Sequence, residues 1–206
     1  VQLWLKSVDP ATVEALAGEP ILKEPLIGTV VVQGPMGALS VSAEITGASG
    51  QGSLGLGFEA NMDAEPLEWV VTLNPEAFSV DALTDLVPAP FVLNGRTEVR
   101  GVGTEYPGGL SAVISSSGTE QVFAGEPVHA MEMQATLDKG VLELTSLVVD
   151  HDAATLAVAG TVDLVASTAK LTIQSHVANA SKLRRYGVDG FGGSVRFDGT
   201  VEAGWD

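Results

Sequence analysis

The residues best suited to chemistry stand together at Asp150-His151-Asp152. Two carboxylates and an imidazole are donor types that a divalent cation takes. Their spacing works against that use, because neighbours in an extended chain point to opposite faces. No second histidine is near in sequence, the others being His129 and His176. The triplet reads as a tight polar turn, since Asp favours turns. His129 and His176 fall in or beside alternating segments and read as surface or rim residues. Lys182, Arg184 and Arg185 form the basic cluster of the chain. On a short helix they suit its C-terminal end, and the functional alternative is contact with a lipid phosphate or an acidic partner. "GLGFEANMD" and "GVDGFGGS" hold glycine spacings, but neither opens a helix after a strand, as a dinucleotide loop must. There is no G-x-S-x-G elbow and no P-loop. No residue set points to catalysis, a metal or a cofactor, and the chain reads as a non-enzyme.

Composition narrows the classes further. The formal charge is −16 over 206 residues, which opposes nucleic acid, whose binding needs basic surface. It also opposes docking on an anionic membrane surface. There is no cysteine, so disulfide scaffolds, thiol catalysis and thiolate zinc sites are excluded. Gly is abundant at 24, while Phe, Trp and Tyr number six, three and two. Val, Thr, Ser and Gly favour strands and turns over helices. The chain opens on Val1 inside an alternating run and reads as a fragment of a longer protein.

Any chemistry would therefore be positioned by strands. Strand-like segments are expected at 28–34, 38–46, 53–61, 68–73, 92–101, 110–117, 128–138, 140–149, 154–164, 169–177 and 193–203, separated by turn-type clusters such as "LDKG", "DHDA" and "VAST". Three glycine pairs repeat at one spacing: Gly28-TVVVQ-Gly34, Gly95-RTEVR-Gly101 and Gly193-SVRFD-Gly199. Each follows a strand and a short helix, expected near 9–17, 79–87 and 181–187. Asp9-Pro10 supplies an N-cap and a first helical residue. These helices mark the boundaries of a repeated unit within a single repetitive segment spanning 1–206.

Most strands alternate, so each buries one face. The apolar set is Leu39, Val41, Leu54, Leu56, Phe58, Met131, Met133, Leu137, Leu142, Leu144, Leu156, Val158, Leu171 and Ile173. Assigning a face from period alone is sensitive to register, since a one-residue slip reverses it. An antiparallel meander with one dry face needs a cover. A second sheet, closure into a barrel, or a non-protein occupant would each serve. Few large aromatics, adaptable methionines and glycines inside strands favour a lined interior over a filled one.

The run from Phe78 to Leu164, "FSVDALTDLVPAPFVLNGRTEVRG" through "GVLELTSLVVDHDAATLAVAGTVDL", resembles the repeating segment of the TamB and AsmA-like proteins. "VVVQGPMGALSVSAEITG" and "LTIQSHVANASKL" are similar to further parts of that repeat, so the resemblance covers nearly the whole chain. It rests on text rhythm, with no catalytic motif, and the strong acidity departs from the best-known members. The resemblance implies an all-β fold with short helices: a curved antiparallel sheet forming an elongated hydrophobic groove, a "β-taco". It implies a periplasmic protein of the Gram-negative envelope, anchored in the inner membrane outside this segment. Such proteins carry phospholipid between inner and outer membranes, with acyl chains in the groove, and some partner an Omp85-type barrel in outer-membrane biogenesis. The alternatives are a scaffold for secreted or outer-membrane β-proteins without lipid transport, and an adhesin-like β-helix passenger with a dry core.

Overall fold

The computed structural model describes residues 2–17, 22–35, 37–47, 49–50, 52–84, 86–87, 90–105, 109–178 and 193–205. The strands are β1 (Gln2–Val8), β2 (Leu26–Gln33), β3 (Ala38–Gly47), β4 (Ser53–Asn61), β5 (Glu68–Glu76), β6 (Phe78–Ser79), β7 (Val92–Leu93), β8 (Arg96–Val102), β9 (Ser111–Phe123), β10 (Glu126–Asp138), β11 (Val141–His151), β12 (Thr155–Asp163), β13 (Thr168–Val177) and β14 (Val195–Gly204). The helices are α1 (Pro10–Ala17) and α2 (Val80–Leu83). Strands β1 to β5 and β8 to β14 pair in chain order, every pair antiparallel, in one open sheet. A parallel β-helix has a different topology, and this sheet does not close into a barrel. The expected helix at 181–187 lies outside the described residues.

Local chemistry explains the connections. Asp9 begins α1 as expected: its Oδ1 accepts the Ala11 N–H at 2.9 Å. Two-residue turns join β9 to β10 and β10 to β11. Their central residues, Ala124-Gly125 and Lys139-Gly140, all have positive φ, the conformation whose twist matches the flanking strands.

The expected strand 92–101 is interrupted instead of continuous. β7 pairs with β6 and β9, whereas β8 pairs with β5 and β9. Asn94 holds the break: its Oδ1 accepts the Ala77 N–H at 2.6 Å and its Nδ2 donates to the Glu120 carbonyl at 2.9 Å. Gly95, with φ 143°, donates its N–H to the Pro75 carbonyl at 3.0 Å. Asn94→Ala would strip one donor and one acceptor of their partners together. Ala77 and Glu120 are exposed, so water can take over both bonds, and the variant is expected to lower unfolding stability by about 0.5–1.5 kcal/mol in urea titration.

The two ends of the sheet differ. Every connection that carries a helix lies at the end where β3 finishes and β4 begins. The opposite end is built from the short connections β4 to β5, β10 to β11 and β12 to β13, and holds the end of β2, the start of β3, and residues 103–105 and 109–110. This follows from counting: four strands, then six, separate the expected helical insertions, and an even number returns the chain to the same end.

The larger buried side chains gather at the helix end, while Ala60 and Ala112 are buried beside Trp69 and Gly101 at the other. Phe78, Leu83, Val128, Ala153 and Val177 are buried at the helix end. Phe91 and Phe123 meet edge to face with centroids 4.9 Å apart. Lys23 ties α2 down: its N–H donates to the Leu83 carbonyl at 2.7 Å and its Nζ to the Asp81 carbonyl at 2.9 Å. The Asp81 carboxylate accepts the Phe91 N–H and the Ser79 hydroxyl, each at 2.9 Å. The Phe91 hydrogen bond is the main reason that its pKa is lowered. A depressed folded pKa stabilises the fold above the unfolded value and loses that contribution as pH falls through the folded one. Asp81→Asn is therefore expected to lower Tm at pH 7 but to narrow its gap to the parent as the pH drops below about 4, in scanning calorimetry across pH.

Candidate functional site

Directly paired residues of antiparallel strands share a face, so the registers assign every strand side chain to one side or the other. One side is mainly apolar across the sheet, interrupted by Ser175 and by the hydrogen-bonded Thr97–Ser116 pair. Val41 pairs with Phe58, Phe58 with Val71, Val71 with Val99, and Val99 with Ile114. Ile114 pairs with Ala135, Ala135 with Leu144, and Ala112 with Leu137. Beyond them Leu147 pairs with Val158, Val158 with Ile173, and Leu171 with Val201. The remaining candidates fall on this side as well. Leu39 pairs with Ala60, Leu54 with Ile45 and Leu56 with Ala43. Met131 pairs with Val149, Met133 with Leu147 and Leu137 with Leu142, and Leu156 with Val149. Thus the pairing places all the candidate lining residues on one face.

A bulge keeps the face in phase. Gln134 pairs with Ser146 and Ala135 with Leu144, leaving Thr145 as an extra residue in β11. The apolar positions change from Leu142 and Leu144 to Leu147 and Val149 across it. Without the extra residue, Leu147 and Val149 would turn to the polar side. The spacing L-x-L-x-x-L-x-V carries this signal in the sequence, though only the pairing identifies it as a bulge.

Period alone also missed several members. Trp69, Val71 and Leu73 lie in "EWVVTL", where apolar residues occupy both parities and the alternation gives no face. Trp69 lies over Gly101, its cross-strand partner, and its indole N–H donates to the Gly103 carbonyl at 2.8 Å. A Cβ at position 101 would run into the indole ring. Gly101 thus makes room for an aromatic ring, and Gly101→Val is expected to expel Trp69, reported as a red-shifted tryptophan emission.

Away from the helix end, where β6, α2 and β7 pack over it, the apolar face has no second layer among the described residues. No large side chain there is fully buried. On β11 and β13 the apolar side chains, Leu144 and Ile173 among them, are half-buried while most of their polar neighbours are exposed. Accessible surface is 12230 Å² for a 21.2 kDa chain, against about 9,000 Å² for a compact monomer of that mass. The excess is what an open sheet produces.

No protein-family profile, curated protein or solved structure matches this chain. The site is therefore read from its own geometry.

The other face is mainly polar, with Ser40, Ser42, Glu59, Ser115, Glu132, Thr161 and Lys170 among its residues. Glu98 bridges Arg96 and Arg100 there, at 2.9 and 2.6 Å. Those hydrogen bonds, Arg96 first, lower the Glu98 pKa. Among the hollows on this side are three of about 580, 520 and 690 Å³. The second is floored by Gly55 and Gly57, where β4 lacks side chains, and is flanked by Ser42, Thr72, Asn74 and Arg96.

The titratable triplet occupies a hairpin turn. His151 and Ala154 exchange backbone hydrogen bonds, both at 3.1 Å. His151 Nδ1 accepts the Ala153 N–H at 3.1 Å, which leaves the ring proton on Nε2, 3.4 Å from Glu126. His129 Nε2 lies 2.6 Å from Asp152. Among the described residues, no three His, Asp or Glu are grouped to hold a metal ion. His176 sits on the polar face of β13, paired with Arg196. Lys182, Arg184 and Arg185 lie outside the described residues.

Proposed function

We propose that this chain is a segment of an envelope-spanning protein that carries phospholipid, with acyl chains lying against the apolar face. In this reading the sheet curls around the tails as an elongated groove, and the parent is anchored in the inner membrane and faces the periplasm. The observation that carries the reading is the extent of the apolar face together with the lack, away from the helix end, of a protein layer over it among the described residues. Such a face needs a cover. Acyl chains supply one without directional bonds, each buried CH₂ contributing about 0.8 kcal/mol. Strands about 4.8 Å apart make twelve of them a trough on the order of 55 Å long, a length suited to one segment of a longer conduit. The resemblance to the TamB and AsmA-like repeat points the same way.

The test is extraction of the purified chain with organic solvent, followed by mass spectrometry, with native mass spectrometry for stoichiometry. Phospholipid in a fixed ratio to protein is the expected result. A cooperatively folded chain that carries none would overturn the proposal and favour the scaffold reading, in which the sheet edge pairs with client strands.

A further inference from the structure

The two outer strands of the sheet are built differently. β1 at one edge pairs with β2 through a register shift between Leu5 and Val8. β14 at the other edge pairs with β13 over ten residues, Val195 to Gly204, without a shift. Proteins guard such an edge with a lysine, a proline, a bulge or an inward charge. β14, "VRFDGTVEAG", has no lysine and no proline. Its charged residues, Arg196, Asp198 and Glu202, stand on the polar face opposite His176, Gln174 and Lys170. Among the described residues no strand pairs with its free side. Val195, Phe197 and Val201 carry the apolar face onto this edge and are exposed there, each with a strand neighbour on one side only.

The sequence of β14 is complementary to itself. Set antiparallel to a second β14 about a two-fold axis through Gly199, Arg196 faces Glu202 and Glu202 faces Arg196. On the apolar side Val195 meets Ala203 and Phe197 meets Val201. Gly199 meets itself, and Phe197 leans into the gap, its ring lying where a Cβ on Gly199 would stand. Opposed residues have the same parity, so outward N–H and C=O groups meet outward groups and the ladder closes. Other registers fare worse. An axis between two residues sets polar side chains against apolar ones. An axis at Thr200 sets Asp198 against Glu202 twice, and an axis at Asp198 sets that carboxylate against its own copy. Like charges directly opposite are destabilising. Axes farther out shorten the paired run.

We propose that this edge is the interface of a symmetric dimer, in which β14 pairs with β14 of a second copy about Gly199. The contact is isologous, the usual form of a closed dimer. The axis stands perpendicular to the sheet, so both apolar faces come to the same side. Twelve strands from each copy form one sheet, and the apolar face continues through the junction. Within each copy Lys170 holds Glu202 at 2.7 Å and Arg196 holds Asp198 at 2.9 Å. The new contacts link these pairs into a row across the polar face. The assignment rests on β14 alone and is independent of what covers the apolar face.

Sedimentation equilibrium of the purified chain is the test. The mass is expected to rise with concentration from 21.2 kDa toward twice that value, with a dissociation constant below about 0.5 mM. Arg196→Glu and Glu202→Arg each bring like charges together twice at the junction. Both side chains are exposed, and circular dichroism checks the fold. Each variant alone is expected to dimerise about tenfold or more weakly than the parent. In a mixed dimer of the two variants opposite charges face each other at both places. An equimolar mixture is therefore expected to recover the parent's affinity. A parent that stays monomeric up to about 0.5 mM overturns the proposal and leaves the edge to a strand of other sequence. Variants that dimerise as the parent does also overturn it, and point to packing between apolar faces. A mixture no more associated than its components overturns the register, and the proposed interface with it.

Discussion

Leu144→Asp and Ile173→Asp are each expected to yield folded protein that has lost its co-purifying phospholipid. Both side chains are half-buried on the apolar face. Leu144 sits between Ala135 and Gly160, and Ile173 between Val158 and Gly199. Their immediate cross-strand neighbours are small or only half-buried, so a carboxylate there can stay hydrated in the empty protein. The expected cost to unfolding stability is below about 1.5 kcal/mol, toward the mild end of single substitutions. With a tail in place the cost is different in kind. The carboxylate must either lose water, which is costly without a partner, or push the tail away. Displacing about five methylenes forfeits about 4 kcal/mol of binding, nearly a thousandfold in affinity. Mass spectrometry of the extract reads the lipid, and urea titration reads the fold. If either variant unfolds instead, by 3 kcal/mol or more, its position is ordinary core and the face is covered by protein. Leu144→Met and Ile173→Val, which keep the surface apolar, are expected to retain lipid.

How much of this was legible beforehand depends on which signal carried it. Strand existence and order were legible because alternation and turn chemistry agree over most of the chain. "MEMQATLDKGVLELTSL" declares two strands and the turn between them, and β10, Lys139-Gly140 and β11 follow it. The end of β9 was not legible. "SGTEQVF" reads as a loop, yet the strand continues through Glu120, whose positive φ absorbs an irregularity, and turns at Ala124-Gly125, where no Asn or Asp announces the turn. The break at Asn94 was hidden for another reason. Alternation continues straight through it, and the cause is two long-range hydrogen bonds to Ala77 and Glu120. For the candidate face, clean alternation marked β3, β4, β10, β12 and β13. The members in β5 and beyond the β11 bulge required the partner strand, because a face is a property of pairing and not of one segment. The sharing of one end by distant turns was invisible altogether: Asp63, Asp138 and Asp163 are far apart in sequence and share an end only after ten strands have been counted.

The helix end should behave oppositely to the face. Leu83→Ala is expected to destabilise the chain by about 2–3 kcal/mol, the range for truncating a buried leucine, although α2 has only four residues. Leu83 is 7% exposed. Its side chain shares the space beside Gly47 with the Glu24 carboxylate, and its backbone carbonyl accepts the Lys23 N–H. A helix this short is not stable by its own hydrogen bonds, so it persists through that packing and the Lys23 and Asp81 contacts. Removing the leucine side chain opens a cavity at a place where the chain packs dry, and the surrounding backbone is held by pairing that cannot collapse inward. Ile173→Ala, by contrast, removes a side chain of similar size from a face without a protein layer and is expected to cost about 1 kcal/mol, since little of the cavity term applies. Paired urea titrations of the lipid-free proteins measure the difference directly. A Leu83→Ala loss well above that of Ile173→Ala means stability resides in the capped end and leaves the face free for an occupant. Equal losses near 3 kcal/mol mean that the face is packed like a core, and a lipid site would not then follow from it.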